Sequence, residues 1–253
     1  MTLPSPEILE LISRGALFVV NHSGGKDSQA MYLVLRAFIP ASQMVIVHAD
    51  LGAVEWAGAV DHIKATTTSE PLHICRSRRT LLQMIEERGM FPSPQQRQCT
   101  SDLKRGPIER TIRTIVEIRI KKWVGRGPDA RIGTQERADA LAAGMGLIVN
   151  CMGMRAEESS GRAKLTPFKL HTGNSKAGRE WYDWLPIHEM LEDQVYRSTC
   201  RACAVSAVFS ALWPAKRTSA RRRAWRLRGP SCSMTQIFIE NMWPSNERQS
   251  TSC

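Results

Sequence analysis

The sequence predicts an α/β protein, a doubly wound and mainly parallel sheet with helices on both faces, followed by an irregular basic C-terminal tail. Two observations point to the sheet. Residues 16–20 and 44–48 are continuous apolar runs, as expected of strands buried on both faces. Segments of helical periodicity separate such runs, and strands alternating with helices imply right-handed parallel crossovers. The tail is predicted by charge. From Gln194 onward ten basic and two acidic residues give +8 of the formal net charge of +11, leaving +3 for the first 193 residues.

The elements follow in order. A short amphipathic helix closes at Leu11 and Ile12, and Arg14-Gly15 is a helix stop. The first strand, 16–20, runs into a loop at 21–25. A helix follows from Lys26 to about Phe38, with apolar positions at Ala30, Leu33, Leu35 and Ala37. The second strand is 44–48, a helix spans about 54–67, and the third strand is 71–75. Leu81–Arg88 is helical, and 90–98 is a loop containing two prolines. Gly106-Pro107 marks a turn and helix start, and the helix continues over 108–123. A loop at 125–129, a short helix at 135–145 and a fourth strand, Leu147–Met152, come next. Residues 184–187 precede a last helix at about 188–196. One domain is expected over residues 1–196, and 197–253 form the tail.

Composition bounds the function. Of the 253 residues, 42% are apolar and 23% charged, enough to bury a core and unlike a disordered or collagenous chain. No apolar run approaches the roughly 20 residues that span a bilayer. The N-terminal segment carries acidic residues and lacks the apolar stretch of a signal peptide. A soluble cytoplasmic protein without a membrane partner is expected. The seven cysteines, Cys75, Cys99, Cys151, Cys200, Cys203, Cys232 and Cys253, are odd in number and sparse. Free thiols or a metal site suit them better than a disulfide scaffold.

The most informative segment is Ser23-Gly24-Gly25-Lys26-Asp27-Ser28, between a buried strand and a helix. Glycines let a backbone approach an anion without a Cβ clash. Successive N–H groups at a helix start point at that anion, and the helix dipole favours it. Lys26 adds a full positive charge, and Ser23 and Ser28 add hydroxyls. The spacing is neither GxxxxGK[ST] nor GxGxxG. It matches SGGxDS, the PP-loop of the adenine nucleotide α-hydrolase-like superfamily.

The resemblance extends along the chain. Cys99, Leu103, Lys104, Pro107 and Ile108 resemble the C–x–x–x–L–K–x–x–P–I/L segment of phosphoadenosine phosphosulfate (PAPS) reductases. Gly153, Arg155, Glu158, Ser159 and Arg162 resemble that family's G–x–R–x–x–E–S–x–x–R segment. Pro186-Ile187, followed by Asp193 and Val195, is similar to its P–I…D–V helix start. Four segments in the right order cover roughly residues 16–196 and identify a PAPS reductase-like, PP-loop protein. The resemblance implies nucleotide binding by Ser23, Gly24, Gly25, Lys26, Asp27, Ser28, Asp50, Lys104, Arg105, Gly153, Arg155, Ser159 and Arg162. Among these, Lys26, Asp27, Arg155 and Arg162 are the expected catalytic residues. Arginines suit the role because guanidinium engages phosphate oxygens in bidentate fashion. Asp50, after the second strand, would bond ribose or help hold Mg²⁺, or cap a helix.

Two reaction classes share the implied fold. In one, an acceptor attacks the α-phosphate of ATP, pyrophosphate leaves and Mg²⁺ offsets its charge. In the other, a cysteine thiolate attacks the sulfur of adenylyl sulfate (APS) or PAPS, and a thiol reductant releases sulfite. The reductases carry that cysteine in an E–C–G–L–H tail, whereas this sequence ends Ser-Thr-Ser-Cys253. Adenylyl transfer from ATP, serving sulfur chemistry or nucleic-acid modification, is therefore favoured over sulfonucleotide reduction. A nucleotide-binding remnant without catalysis is the third reading. Cys99 with Cys200-Arg-Ala-Cys203 supplies three thiols, which need a fourth ligand to hold zinc or an iron–sulfur cluster.

The tail departs most from the family. Arg221, Arg222, Arg223, Arg226 and Arg228 with Trp213 and Trp225 offer phosphate contacts and stacking planes for nucleic acid. A solvated, disordered extension is the competing reading. A shifted reading frame is another: codons for 206–211, read from their third positions, can spell a family-like Ser-Cys-x-x-Cys. A thiol reductant or a sulfur-donor protein is the remaining expected partner.

Overall fold

The computed structural model describes residues 4–67, 70–93 and 98–203. Contacts divide the chain into Met1–Val205 and Ser206–Cys253, and the second unit lies outside the described residues. The expectations placed on residues 204–253 of the basic tail fall outside them, as do those placed on the side chains of Cys200 and Cys203.

Six strands form one sheet in the order β3-β2-β1-β4-β6-β5: β1 Leu17–Asn21, β2 Met44–Ala49, β3 Leu72–Cys75, β4 Leu147–Met152, β5 Phe168–Leu170 and β6 Glu180–Trp184. All pairings are parallel except β5 with β6. The helices are α1 Pro6–Ser13, α2 Lys26–Arg36, α3 Ala59–Thr66, α4 Leu81–Arg88, α5 Gly106–Val124, α6 Thr134–Ala142, α7 Ser160–Ala163 and α8 Glu192–Cys203. The doubly wound α/β fold is thus as the sequence predicts.

Strand alternation divides the core between the two faces of the sheet. Phe18 and Val20 pack with Met31, Tyr32 and Leu35 of α2 and with Ile8 and Leu11 of α1. Leu17 and Val19, one residue out of phase, pack with Ile112, Val116 and Ile120 of α5 and with Trp181 of β6. Every apolar side chain of β1 is buried, so the strand reads as an unbroken apolar run.

Several elements differ from the sequence expectations, each for a local reason. The helix expected over 54–67 begins only at Ala59, because Gly58 takes a left-handed φ of 83° and breaks the chain from the short turn Gly52–Val54. Gly106-Pro107 is not a turn. A π-helical turn, Thr100–Arg105, runs straight into α5, where Pro107 sits in the first turn and needs no N–H partner. Strands β5 and β6 lie in a stretch with no sequence assignment. In β6 buried and half-buried residues alternate, a weaker signal than the fully buried runs. The last helix starts at Glu192 rather than near His188 and continues past Tyr196. No described helix is long and apolar enough to cross a membrane.

Candidate functional site

Strand β1 lies between β2 and β4, so the chain diverges to opposite sides at its C-terminal end. Open α/β sheets form their ligand crevice at such a point. The SGGKDS loop occupies it. Gly24 has φ 78°, a left-handed conformation that disfavours any residue with a Cβ. Gly25 then caps α2 with extended backbone. Ser28 is turned inward: its hydroxyl donates to the Gly25 carbonyl at 2.8 Å and accepts the Ser23 N–H at 3.2 Å. Ser28 thus holds the loop's shape, while Ser23 is the more exposed hydroxyl.

His22, absent from the sequence expectations, sets the loop from beneath. It is buried, its Nδ1 accepts the Gly24 N–H at 3.1 Å, and its Nε2 donates to Gln29 Oε1 at 3.0 Å. Burial drives its pKa down to about 4, so the ring is neutral in this tautomer. Its carbonyl accepts from His48 Nδ1 at 2.8 Å.

The first turn of α2 carries two charged side chains with different neighbours. Lys26 Nζ lies 3.3 Å from Asp27 and 3.4 Å from Glu192 of α8, and 5.6 Å from the centre of the Tyr196 ring. Asp27 Oδ1 accepts from Arg155 Nε at 2.7 Å. Arg155 also donates from Nη1 to Glu157 at 2.7 Å, and its side chain is only 4% exposed. Arg155 is therefore engaged by two carboxylates and orients Asp27. Gly153 has a packing role: an added Cβ would lie 3.3 Å from backbone atoms of Asp27 and Ser28. The absence of a side chain lets the end of β4 approach the start of α2. Ser159 caps α7, accepting the Arg162 N–H at 3.2 Å, and the Arg162 guanidinium pairs with Glu158.

A polar ladder supports this edge from below. Asn21 Nδ2 donates to Asn150 Oδ1 at 2.7 Å, and Asn150 Nδ2 donates to Asp183 at 2.9 Å. The ladder links the ends of β1, β4 and β6. At Asn21 its sequence signal is a polar residue ending an apolar run, whereas Asn150 interrupts one.

The end of β2 forms the other wall. Asp50 Oδ1 accepts the Gly52 N–H at 2.7 Å, and Oδ2 accepts from Arg76 Nε at 2.8 Å. The Gly52 bond first and Arg76 second hold its carboxyl below the usual range. Asp50 neither caps a helix nor stands free. His48 Nε2 lies 3.3 Å from Glu55. Burial disfavours a charged His48, but Glu55, the His22 carbonyl and the Asp50 charge outweigh it and raise the pKa. Burial likewise opposes a charged Glu55, but His48, the Leu51 N–H and the charge of half-buried Lys104 together hold its carboxyl low. Arg105 is 69% exposed and 3.9 Å from Glu109.

Asp50, the carboxylate expected to help hold Mg²⁺, is thus bound to a guanidinium group, as Asp27 is to that of Arg155. No group of three metal-ligating side chains occurs among the described residues. A magnesium ion would have to ride on nucleotide phosphates and water, as this hard cation commonly does. Cys99 is a free, half-buried thiol at the start of the π-helical turn. Cys75 and Cys151 are buried, and burial pushes both thiols up, away from nucleophilic thiolates.

Comparison with known proteins adds the following. No curated protein matches. Among solved structures, the chain is similar to the phosphate complex of phosphoadenylyl-sulfate (PAPS) reductase from Candida auris, at 12% identity and a TM-score of 0.40, covering 80% of this chain and 89% of that one. The family described as phosphoadenosine phosphosulfate reductase domain matches residues 18–204. That span runs from β1 through α8 and contains the phosphate loop, the Arg155 segment and the wall around Asp50. The chain belongs to the phosphoadenosine phosphosulfate reductase domain family, a family of PP-loop adenine-nucleotide enzymes.

Proposed function

We propose that the chain binds an adenine nucleotide with its phosphates on the Ser23–Ser28 loop and acts at the α-phosphoryl group, transferring adenylate from ATP to an acceptor. The carrying observation is the loop itself: a left-handed Gly24, a capping Gly25 and Lys26 at the sheet's switch point. Backbone N–H groups there stabilise a departing polyphosphate, and Lys26 supplies the charge as negative charge builds up. Asp27, held by Arg155, keeps Lys26 oriented from one side. Mg²⁺, carried by the nucleotide, would neutralise the β,γ-phosphates. Cys75 and Cys151 are buried with thiols pushed up, so neither suits the nucleophile of a reductive reaction. The family match favours a second reading, reduction of PAPS or adenylyl sulfate with a thiol reductant.

Calorimetric titration with ATP, adenylyl sulfate and PAPS tests the proposal. ATP is expected to bind with Mg²⁺ and to release pyrophosphate when the acceptor is present. Lys26→Ala should weaken ATP about 10- to 100-fold, the worth of a hydrogen bond to a charged group. Sulfite release from PAPS would replace adenylyl transfer by the second reading. Binding without any turnover would leave a nucleotide-binding remnant.

Lys26 has a competitor for phosphate in Glu192. Both side chains are partly exposed, so their ion pair is weak. Glu192→Gln is expected to raise nucleotide affinity about two- to fivefold, by freeing Lys26. Unchanged or weaker affinity in that variant would show that the pair does not oppose binding.

A further inference from the structure

A second basic site lies along α5. The outer face of α5 presents Arg110, Arg113, Thr114, Glu117, Ile118 and Lys121, at helical spacing opposite the buried stripe Ile112, Val116 and Ile120. With Pro128 and Arg179 they line a groove of about 410 Å³. Arg179 immediately precedes β6, whereas the phosphate loop follows β1, and the two strands run in the same direction. The Arg179 end of the groove therefore sits toward the N-terminal ends of the strands, away from the phosphate loop.

Its charges are not balanced. Glu117 is the single carboxylate in the lining, and both its oxygens are taken by Arg137 at 2.8 Å. Arg113 is 3.6 Å from Glu109 and donates to Asn174 at 2.9 Å. Arg110 and Arg179 have no carboxylate within ion-pair distance among the described residues. Arg179 Nε and Asn174 Nδ2 are enclosed and lack hydrogen-bond partners, which is costly for buried donors. Burial and the nearby charges of Arg113 and Arg137 all oppose the Arg179 cation. Cations that converge without a counter-charge raise the local potential and attract an anion. Guanidinium groups favour phosphate by their geometry.

We propose that this groove binds the phosphate group of a small phosphorylated ligand, with Arg113 and Arg179 as the principal contacts and Arg110 and Lys121 at its rim. The volume fits a small molecule, for which sites of about 300–1,000 Å³ are usual. Ile118, 59% exposed, and Pro128 supply an apolar wall for the rest of such a ligand. The inference is independent of the reaction at the phosphate loop.

The test is calorimetric titration with inorganic phosphate of the full chain carrying Lys26→Ala, which weakens the first site, so that the arginine variants below assign what remains. One saturable phosphate site is expected to remain. Adding Arg179→Gln should weaken it about tenfold. Arg179 also packs near Asn174, so Arg110→Gln, at an exposed position, is the second variant. It should weaken phosphate several-fold while leaving the phosphate-free melting temperature unchanged. Loss of all saturable binding in Lys26→Ala alone would overturn the proposal. So would affinity unchanged by both arginine variants, or a short oligothymidylate that binds the groove where inorganic phosphate does not.

Discussion

Gly144→Ala is expected to abolish the folded protein, at a cost above about 4 kcal/mol. Gly144 lies in the turn between α6 and β4 with φ 79°, and a Cβ there would sit 1.8 Å from the Arg14 carbonyl oxygen. That oxygen belongs to backbone at the end of α1, so no side-chain rotation relieves the overlap. The turn is also fastened by Arg119, which donates to the Gly15 carbonyl at 2.6 Å and to the Gly144 carbonyl at 3.3 Å. Displacing Gly144 would therefore pull on the entries to β1 and β4, the two strands that flank the ligand crevice. Gly15→Ala separates strain from overlap. Gly15 has φ 76°, but a Cβ added there would meet nothing within 4 Å, so only left-handed strain of about 1 kcal/mol is expected. Urea unfolding of both variants checks the difference. Equal losses would mean that the turn moves away from Arg14 at little cost.

Such close approaches are what the sequence conceals. Gly24 and Gly25 were legible because they stand between a buried strand and a helix, with a lysine beside them. Gly144 has no comparable context, and Gly153 stands in a family-like segment that says nothing of its packing; both roles depend on backbone from distant segments. Strands β1, β2 and β4 were legible because burial on both faces leaves runs of mainly apolar residues. Strand β6 alternates and β5 has only three residues, so neither produced such a run. The phosphate-loop residues lie together by chain order alone. The partners that set their charges do not: Glu192 reaches Lys26 across 166 positions, and Arg155 reaches Asp27 across 128. Pattern gave the loop, while the neutralisation of Asp27, Asp50 and Arg155 needed the tertiary structure. Nothing in the sequence marks His22 within its loop, because its neutral state follows from burial that only the tertiary structure provides.

That neutral histidine gives the loop an acid sensitivity. The folded pKa of His22 is about 4, below its unfolded value of about 6.5, so between these the unfolded chain binds more protons. Stability is therefore fully present above about pH 6.5 and is lost as pH falls towards 4. The complete shift is worth about 3 kcal/mol, of which about 2 kcal/mol should disappear between about pH 7.5 and pH 5. His48 has the opposite sign, since its raised pKa contributes stability at low pH that is lost only as pH rises through that pKa. The lowered pKa values of Asp50 and Glu55 matter mainly below the carboxylate range, under this window. His22→Asn keeps an acceptor for the Gly24 N–H but cannot take up the proton. Urea midpoints at the two pH values should fall for the parent and change much less for His22→Asn. An equal fall in both would place the proton uptake elsewhere. Protonation of His22 would also put a second donor against the Gly24 N–H, which lies at the left-handed glycine of the phosphate loop. Nucleotide affinity of the folded protein is then expected to decline only as pH approaches about 4, below the window in which stability falls, because above that pH the proton is taken up by the unfolded chain.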